Sequence, residues 1–154
     1  MLSALNIPFE SRSSAFSCLR VLASFGRRLL REVSDLAIIA VFRLAIAEAV
    51  HAPEVAQALD SIGRETSRAA LRQFMGRAQA SGLLTGRPAE LAEQFGGLLW
   101  GNLMVSLLLG VAERPNSREV AARARDATAA FLQLHALPID ATLRTFTKRR
   151  REPR

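Results

Sequence analysis

Two histidines, one cysteine and a few carboxylates are the side chains with which this sequence could do chemistry. His51 and His135 would be the natural metal ligands or general bases. Neither has an acidic or cysteine partner at ligand spacing, so both read as surface or helix-end histidines. Cys18 is alone, which leaves no disulfide framework, suits a reducing interior and makes it a small apolar packing residue. Glu90 and Glu93 follow Pro88 in the first turns of a helix, where the positive end of the helix dipole accounts for them without catalysis. Gly96, Gly97 and Gly101 lie inside an apolar helix rather than after a strand, so they do not form a phosphate-binding loop. No catalytic residue, metal site or cofactor is expected, and the chain is not expected to be an enzyme.

The elements that would position these side chains are helical. A chain of 154 residues suits one domain with a genuine core. It is 49% apolar but only 6% aromatic, has no Tyr, and is rich in Ala, Leu and Arg, which predicts an all-α fold of about five helices. Cys18, Leu22, Phe25, Leu29 and Val33 recur at helical spacing and predict a first helix from about Phe16 to Val33. Ser34 and Asp35 offer capping oxygens for a second, with Ile39, Phe42, Ile46 and Ala49 as its stripe and His51-Ala52-Pro53 as its end. Pro53 and Glu54 open a third, whose stripe of Val55, Leu59, Ile62, Ala70, Phe74 and Ala78 runs on to Ser81; Gly63 loosens its middle and Gly82 stops it.

Pro88 and Glu90 open a fourth helix expected to reach Val111, a run of 24 residues or roughly 36 Å. Asn116 and Glu119 are spaced as a capping box for a fifth, with Val120, Ala124, Ala127, Phe131 and Leu134 along one side and Leu137-Pro138 at its end. Within the fourth helix, "QFGGLLWGNLMVSLLLGVA" holds no charge over 19 residues. That length permits a membrane span, but Gln94, Asn102, Ser106 and the amphipathic neighbours argue against one. A helix apolar nearly all round must be covered nearly all round, which four modest helices cannot do alone. Gly97 and Gly101 with Leu99, Trp100, Leu103 and Leu107, together with Ala122, Ala129 and Leu132 of the fifth helix, are therefore expected to meet a second copy in a four-helix bundle.

The formal charge is +7, and +4 of it falls in residues 148–154. Such a tail is usually solvated; a small basic helical protein acting on nucleic acid through Arg-rich termini is the alternative reading. Residues 1–31 carry Ser and Arg with one acid, Glu10, a superficial likeness to a transit peptide. Pro8, Glu10 and Arg12 interrupt any secretory core, and a cytoplasmic location is expected.

From Leu36 to Leu134 the sequence resembles the C-terminal domain of TetR/AcrR-type transcriptional regulators, through "FRLAIAEAVHAPEVAQAL", "AQASGLL" and "ELAEQFGGLLWGNLMVSLLLG" in that order. The resemblance implies a helical bundle that dimerises through its last two helices and encloses a pocket for a small, often lipophilic effector. It also implies a separate N-terminal helix-turn-helix that reads DNA. "MLSALNIPFESRSSAFS" shows no paired short helices, turn glycine or recognition helix, so direct sequence-specific DNA binding by this chain is not expected. A truncated gene, a mis-assigned start and a stand-alone sensor all fit, and a stand-alone sensor could heterodimerise with full-length relatives. The pocket is expected from Phe25, Phe42, Phe74 and Phe95, with Leu29, Ile46 and Met75 as further lining and Asn102 as a polar contact. The division expected is an irregular segment at 1–15, the sensing and dimerisation domain at 16–136, and a flexible basic tail at 137–154.

Overall fold

The computed structural model describes residues 13–61 and 65–137, all of them in helices or the turns between. The helices are α1 (Ser13–Val33), α2 (Leu36–Glu48), α3 (Pro53–Leu59), α4 (Glu65–Ala80), α5 (Pro88–Trp100), α6 (Leu103–Leu109) and α7 (Ser117–His135). The described residues contain no β-strand, only an isolated bridge of Leu84 with Ala136, and the fold is all-α. Seven helices stand where about five are expected. The expected third helix is α3 and α4, on either side of the undescribed residues 62–64, and the expected fourth is α5 and α6. Helix α1 begins three residues ahead of the expected start, inside the stretch read as irregular. The basic tail and the first 12 residues lie outside the described residues.

Local backbone chemistry sets the boundaries. Asp35 accepts a hydrogen bond from the Ala37 N–H at 2.9 Å and starts α2. Pro53 and Pro88 occupy first-turn positions of α3 and α5. Asn116 caps α7 with both halves of the capping box formed: its side chain accepts from the Arg118 and Glu119 N–H groups, and its own N–H donates to Glu119 Oε2 at 2.8 Å. Gly82 ends α4 with positive φ, as its sequence position predicts.

The expected long fourth helix breaks at Gly101, whose φ of 47° and ψ of −130° suit a residue without Cβ. Leucines flank the break on both sides, so the apolar run conceals it. Because α6 restarts after the turn, its side chains no longer follow the phase of α5, and facings deduced from one continuous helix do not carry across.

The core lies among α1, α4, α5 and α7: α7 packs against α1 and α5, and α4 packs against α5. Phe74, Phe95, Phe131, Leu22, Leu30, Met75, Leu91 and Leu99 are the large side chains sealed in it. On α1 the buried line is Cys18, Leu22, Gly26 and Leu30, continuing at Ser34, while the expected Phe25, Leu29 and Val33 form its half-buried shoulder. Gly26 marks a close approach: a Cβ there would stand 2.9 Å from Leu99 Cδ1 and 3.6 Å from Ala124 Cβ. Phe95 and Phe131 meet edge to face at 5.5 Å. Arg123 lies beside Gly101 and Phe131 beside Phe95, so α5 and α7 run antiparallel.

Helix α2 packs against α3 and α6 and touches α1 beside this core. The stripe expected on α2 is displaced: Ile39 and Ala45 are buried, whereas Ile46 is 60% exposed. This helix is apolar on nearly every face, so spacing alone could not select the inward one. On α7 the buried line passes from Phe131 to His135, leaving Leu134 outside it at 68% exposure.

Candidate functional site

Two surfaces of the bundle carry features beyond ordinary packing. The first is the outward face of α5 and α7. Gly97 and Gly101 are exposed, as are Gln94 and Leu98 beside them, and a Cβ added at Gly97 would meet nothing within 4 Å. On α7 Ala129 is exposed and Ala122, Ala130 and Leu132 are half-buried, while Trp100 is half-buried at the end of α5. Small residues are thus exposed toward the C-terminal end of α5 and along α7, on the side away from the core.

Three of the expected contact residues do not belong to that face. Leu99 is fully buried against Gly26 within the chain, and Leu107 is 5% exposed on α6, so neither has surface to offer a partner. Leu103 is half-buried and turns toward α1 and α7. The break at Gly101 explains both α6 residues, since the expected facing requires a helix that continues through it. Leu99 is inward because Gly26 leaves it room.

The second surface is a depression of about 270 Å³ where the end of α1, the start of α6, the 110–116 connection and the start of α7 come together. Leu103 and Pro115 are its accessible apolar residues, over the buried Leu30 and Val120, and Glu113, Glu119 and Arg123 bring its charges. Glu119 is already committed to the cap of α7. Arg123 Nε is buried and has no hydrogen-bond partner in the protein.

None of the eight residues expected to line an effector pocket borders this depression. Phe74, Met75 and Phe95 are sealed in the core, and Phe25 and Leu29 are half-buried against it. Phe42 is half-buried on α2, Ile46 points outward on the same helix, and Asn102 is exposed at the α5–α6 break. The structure therefore divides the set among core, shoulder and surface. Each aromatic sat on a correctly placed helix, but a helical stripe does not tell a cavity wall from filled core.

Sequence reasoning passed over Arg43 as well. From α2 its Nε donates to the Leu108 carbonyl at 2.9 Å and its Nη2 to the Leu107 carbonyl at 2.7 Å, binding the carbonyl end of α6. A positive charge there complements the helix dipole. No signal in the sequence joins residues so far apart along the chain. His51 is exposed between α2 and α3; His135 is half-buried with its ring 4.9 Å from Phe131. Among the described residues no three His, Cys, Asp or Glu side chains are grouped to hold a metal ion, and no helix is long and apolar enough to cross a membrane.

Comparison with curated proteins returned no match. Among solved structures, a chain from Mesorhizobium loti assigned to the TetR family of transcriptional regulators superimposes with a TM-score of 0.74 at 23% identity, covering 88% of this chain and 66% of its own. A TetR transcriptional regulator from Agrobacterium tumefaciens superimposes with a TM-score of 0.73 at 28% identity, covering 85% of this chain and 65% of its own. This chain thus spans just under two thirds of the length of each. The profile for the C-terminal domain of AefR-like transcriptional repressors matches residues 20–136, from the first turns of α1 to the end of α7. A match through every described helix places this chain in the TetR-type C-terminal domain family of the AefR-like repressors.

Proposed function

We propose that the chain is the dimerising, effector-sensing domain of a TetR-type transcriptional regulator acting in the cytoplasm. In this reading α5 and α7 of one copy meet α5 and α7 of a second in a twofold four-helix bundle, and a small apolar molecule is the signal. The observation that carries the proposal is the outward side of the antiparallel α5–α7 pair, where the small residues Gly97 and Ala129 are exposed. Small side chains let two helix pairs approach closely, and glycine in a helix costs about 1 kcal/mol relative to alanine, a cost that close docking offsets. Within one copy a Cβ at Gly97 would meet nothing within 4 Å, so packing inside the chain does not call for glycine there. A heterodimer with a longer relative would use the same face.

Light scattering tests this directly. The wild-type chain is expected at twice its 16.8 kDa mass at micromolar concentration. Gly97→Arg and Ala129→Arg, which place a charged side chain on that face, are expected to give folded monomers. A wild-type monomer at high concentration, or dimers that survive both substitutions, would refute the reading.

A further inference from the structure

We propose that the outward side of α1 docks an acidic amphipathic helix of another protein, through four arginines set around Ser24. Ser24 is exposed at the middle of α1. Its neighbours on the helix surface, three, four and seven residues away, are Arg20, Arg27, Arg28 and Arg31, all of them exposed. Arg20, Arg27 and Arg31 fall within about 40° of one another around the helix and span about 16 Å along it, so they form one straight row. Arg28 is paired with Glu32, the one acid in α1, at 2.7 Å. The other three arginines form no ion pair among the described residues.

The row works against the helix that carries it. Arg27 and Arg31 are like charges four residues apart, a spacing that destabilises a helix. Carboxylates brought by a partner remove that repulsion and gain the pairing. Two features select a helix of a protein over a nucleic acid. Helix α1 is packed along its opposite side against α7 and α5, so it presents a rigid ridge rather than an element free to enter a groove. Val21 and Phe25, half-buried on the flank beyond Ser24, offer apolar contact that the apolar row of an amphipathic helix can use and a phosphate backbone cannot. The small Ser24 side chain lets the two helices approach, and the arginine stems cover the contact. Arg20, Arg27 and Arg31 then call for carboxylates spaced by seven and four residues along the partner helix. The inference does not depend on the dimer, whose proposed face lies on α5 and α7.

The experiment follows fluorescence polarisation of a labelled helical peptide whose three glutamates have that spacing beside a leucine row, titrated with the full chain at about 150 mM salt. A second peptide carries lysines in place of the glutamates, and a third serines in place of the leucines. Saturable binding of the glutamate peptide is expected, weakening as salt rises. The triple variant Arg20→Glu, Arg27→Glu, Arg31→Glu should weaken it at least about tenfold, the scale of three exposed ion pairs, and should bind the lysine peptide instead. The basic residues at 148–154 are common to wild type and variant, so the difference belongs to α1. The serine peptide should bind more weakly than the glutamate peptide. All three substitutions are at exposed positions, and far-ultraviolet circular dichroism with thermal unfolding establishes that the variant is folded. Absence of saturable binding, equal affinity in the triple variant, or a lysine peptide that the variant ignores would each overturn the proposal. Equal binding of the serine peptide would reduce the row to general attraction for anions, and displacement of the glutamate peptide by duplex DNA at that salt would make it a phosphate-binding surface; both outcomes also overturn it.

Discussion

At Gly26, α1 lies close against side chains of both α5 and α7. An added Cβ would stand 2.9 Å from Leu99 Cδ1, 3.5 Å from Phe95 Cζ and 3.6 Å from Ala124 Cβ, all of them buried side chains. Alanine gains about 1 kcal/mol of helix propensity in an interior position, and the leucine end it crowds needs to move only slightly. Gly26→Ala is therefore expected to leave stability within about 1 kcal/mol of wild type, whereas Gly26→Val, with two further methyls and no room for them, should cost about 1–3 kcal/mol in urea unfolding. Cys18 lies in the same packing line, and its burial pushes the thiol from 9.0 up to about 11. Since the folded value is the higher one, the thiol's contribution to stability is complete below pH 9 and is lost as pH rises toward 11. The stability difference between wild type and Cys18→Ala should accordingly stay level up to pH 9 and then shift against the wild type. The native thiol should react with a disulfide reagent at pH 8 far more slowly than the denatured one. A constant difference across that pH range, or equal reaction rates, would contradict the burial argument.

Among the helices, α6 is the one that its own sequence supports least. Seven residues are too few to hold a helix in water, so α6 depends on what its neighbours contribute. Leu107 is its one buried residue, and Arg43 holds its carbonyl end. Arg43→Met, which keeps the aliphatic stem and removes the donors, is expected to lower hydrogen-exchange protection at Ser106–Val111 while leaving α1 and α7 unchanged. The expected local cost is about 1–3 kcal/mol for bonds from a charged donor. Uniform loss of protection over all helices would show that Arg43 supports the whole fold instead. What the sequence revealed about these elements follows from the range of the forces involved. The Asn116–Glu119 box, Pro53, Pro88 and Gly82 act within one turn of chain, so residue type and spacing were enough to place them. The Gly101 break was hidden because the leucines around it are compatible with either a straight or a broken helix. The inward face of α2 was unreadable for the same reason, every face being apolar. Arg43 reaching α6 and Gly26 receiving Leu99 are contacts between distant parts of the chain, and a single sequence holds no local trace of them. The candidate surfaces divide in the same way: the small residues Gly97 and Ala129 were found on their outward faces, whereas a depression built from four segments drew on residues that no single stripe unites.

For the molecule as a whole, charge is the property that could pull the function in another direction. The chain carries +7, 20 of its 21 basic residues are Arg, and +4 resides in residues 148–154. Such a distribution attracts phosphate backbones whether or not any groove is read, so weak DNA binding by itself would not distinguish a nucleic-acid protein from a sensor with a basic end. The salt dependence does distinguish them. Each neutralised phosphate contributes about −0.9 to the slope of log affinity against log salt on duplex DNA, so one tail with five basic residues can produce a slope no steeper than about −4.5, and the two tails of the proposed dimer one no steeper than about −9. We expect the 154-residue chain to retain duplex DNA only at low salt, without sequence preference, and to release it by about 150 mM. Removing residues 147–154 should abolish the low-salt binding and leave the dimer intact, because the proposed contact face lies on α5 and α7. Filter binding over a salt series, with sedimentation of the same samples, measures both quantities together. Binding that persists at 150 mM, discriminates between sequences, or survives loss of the tail would mean that the helical body itself contacts DNA, and the reading of this domain as a sensor would have to give way.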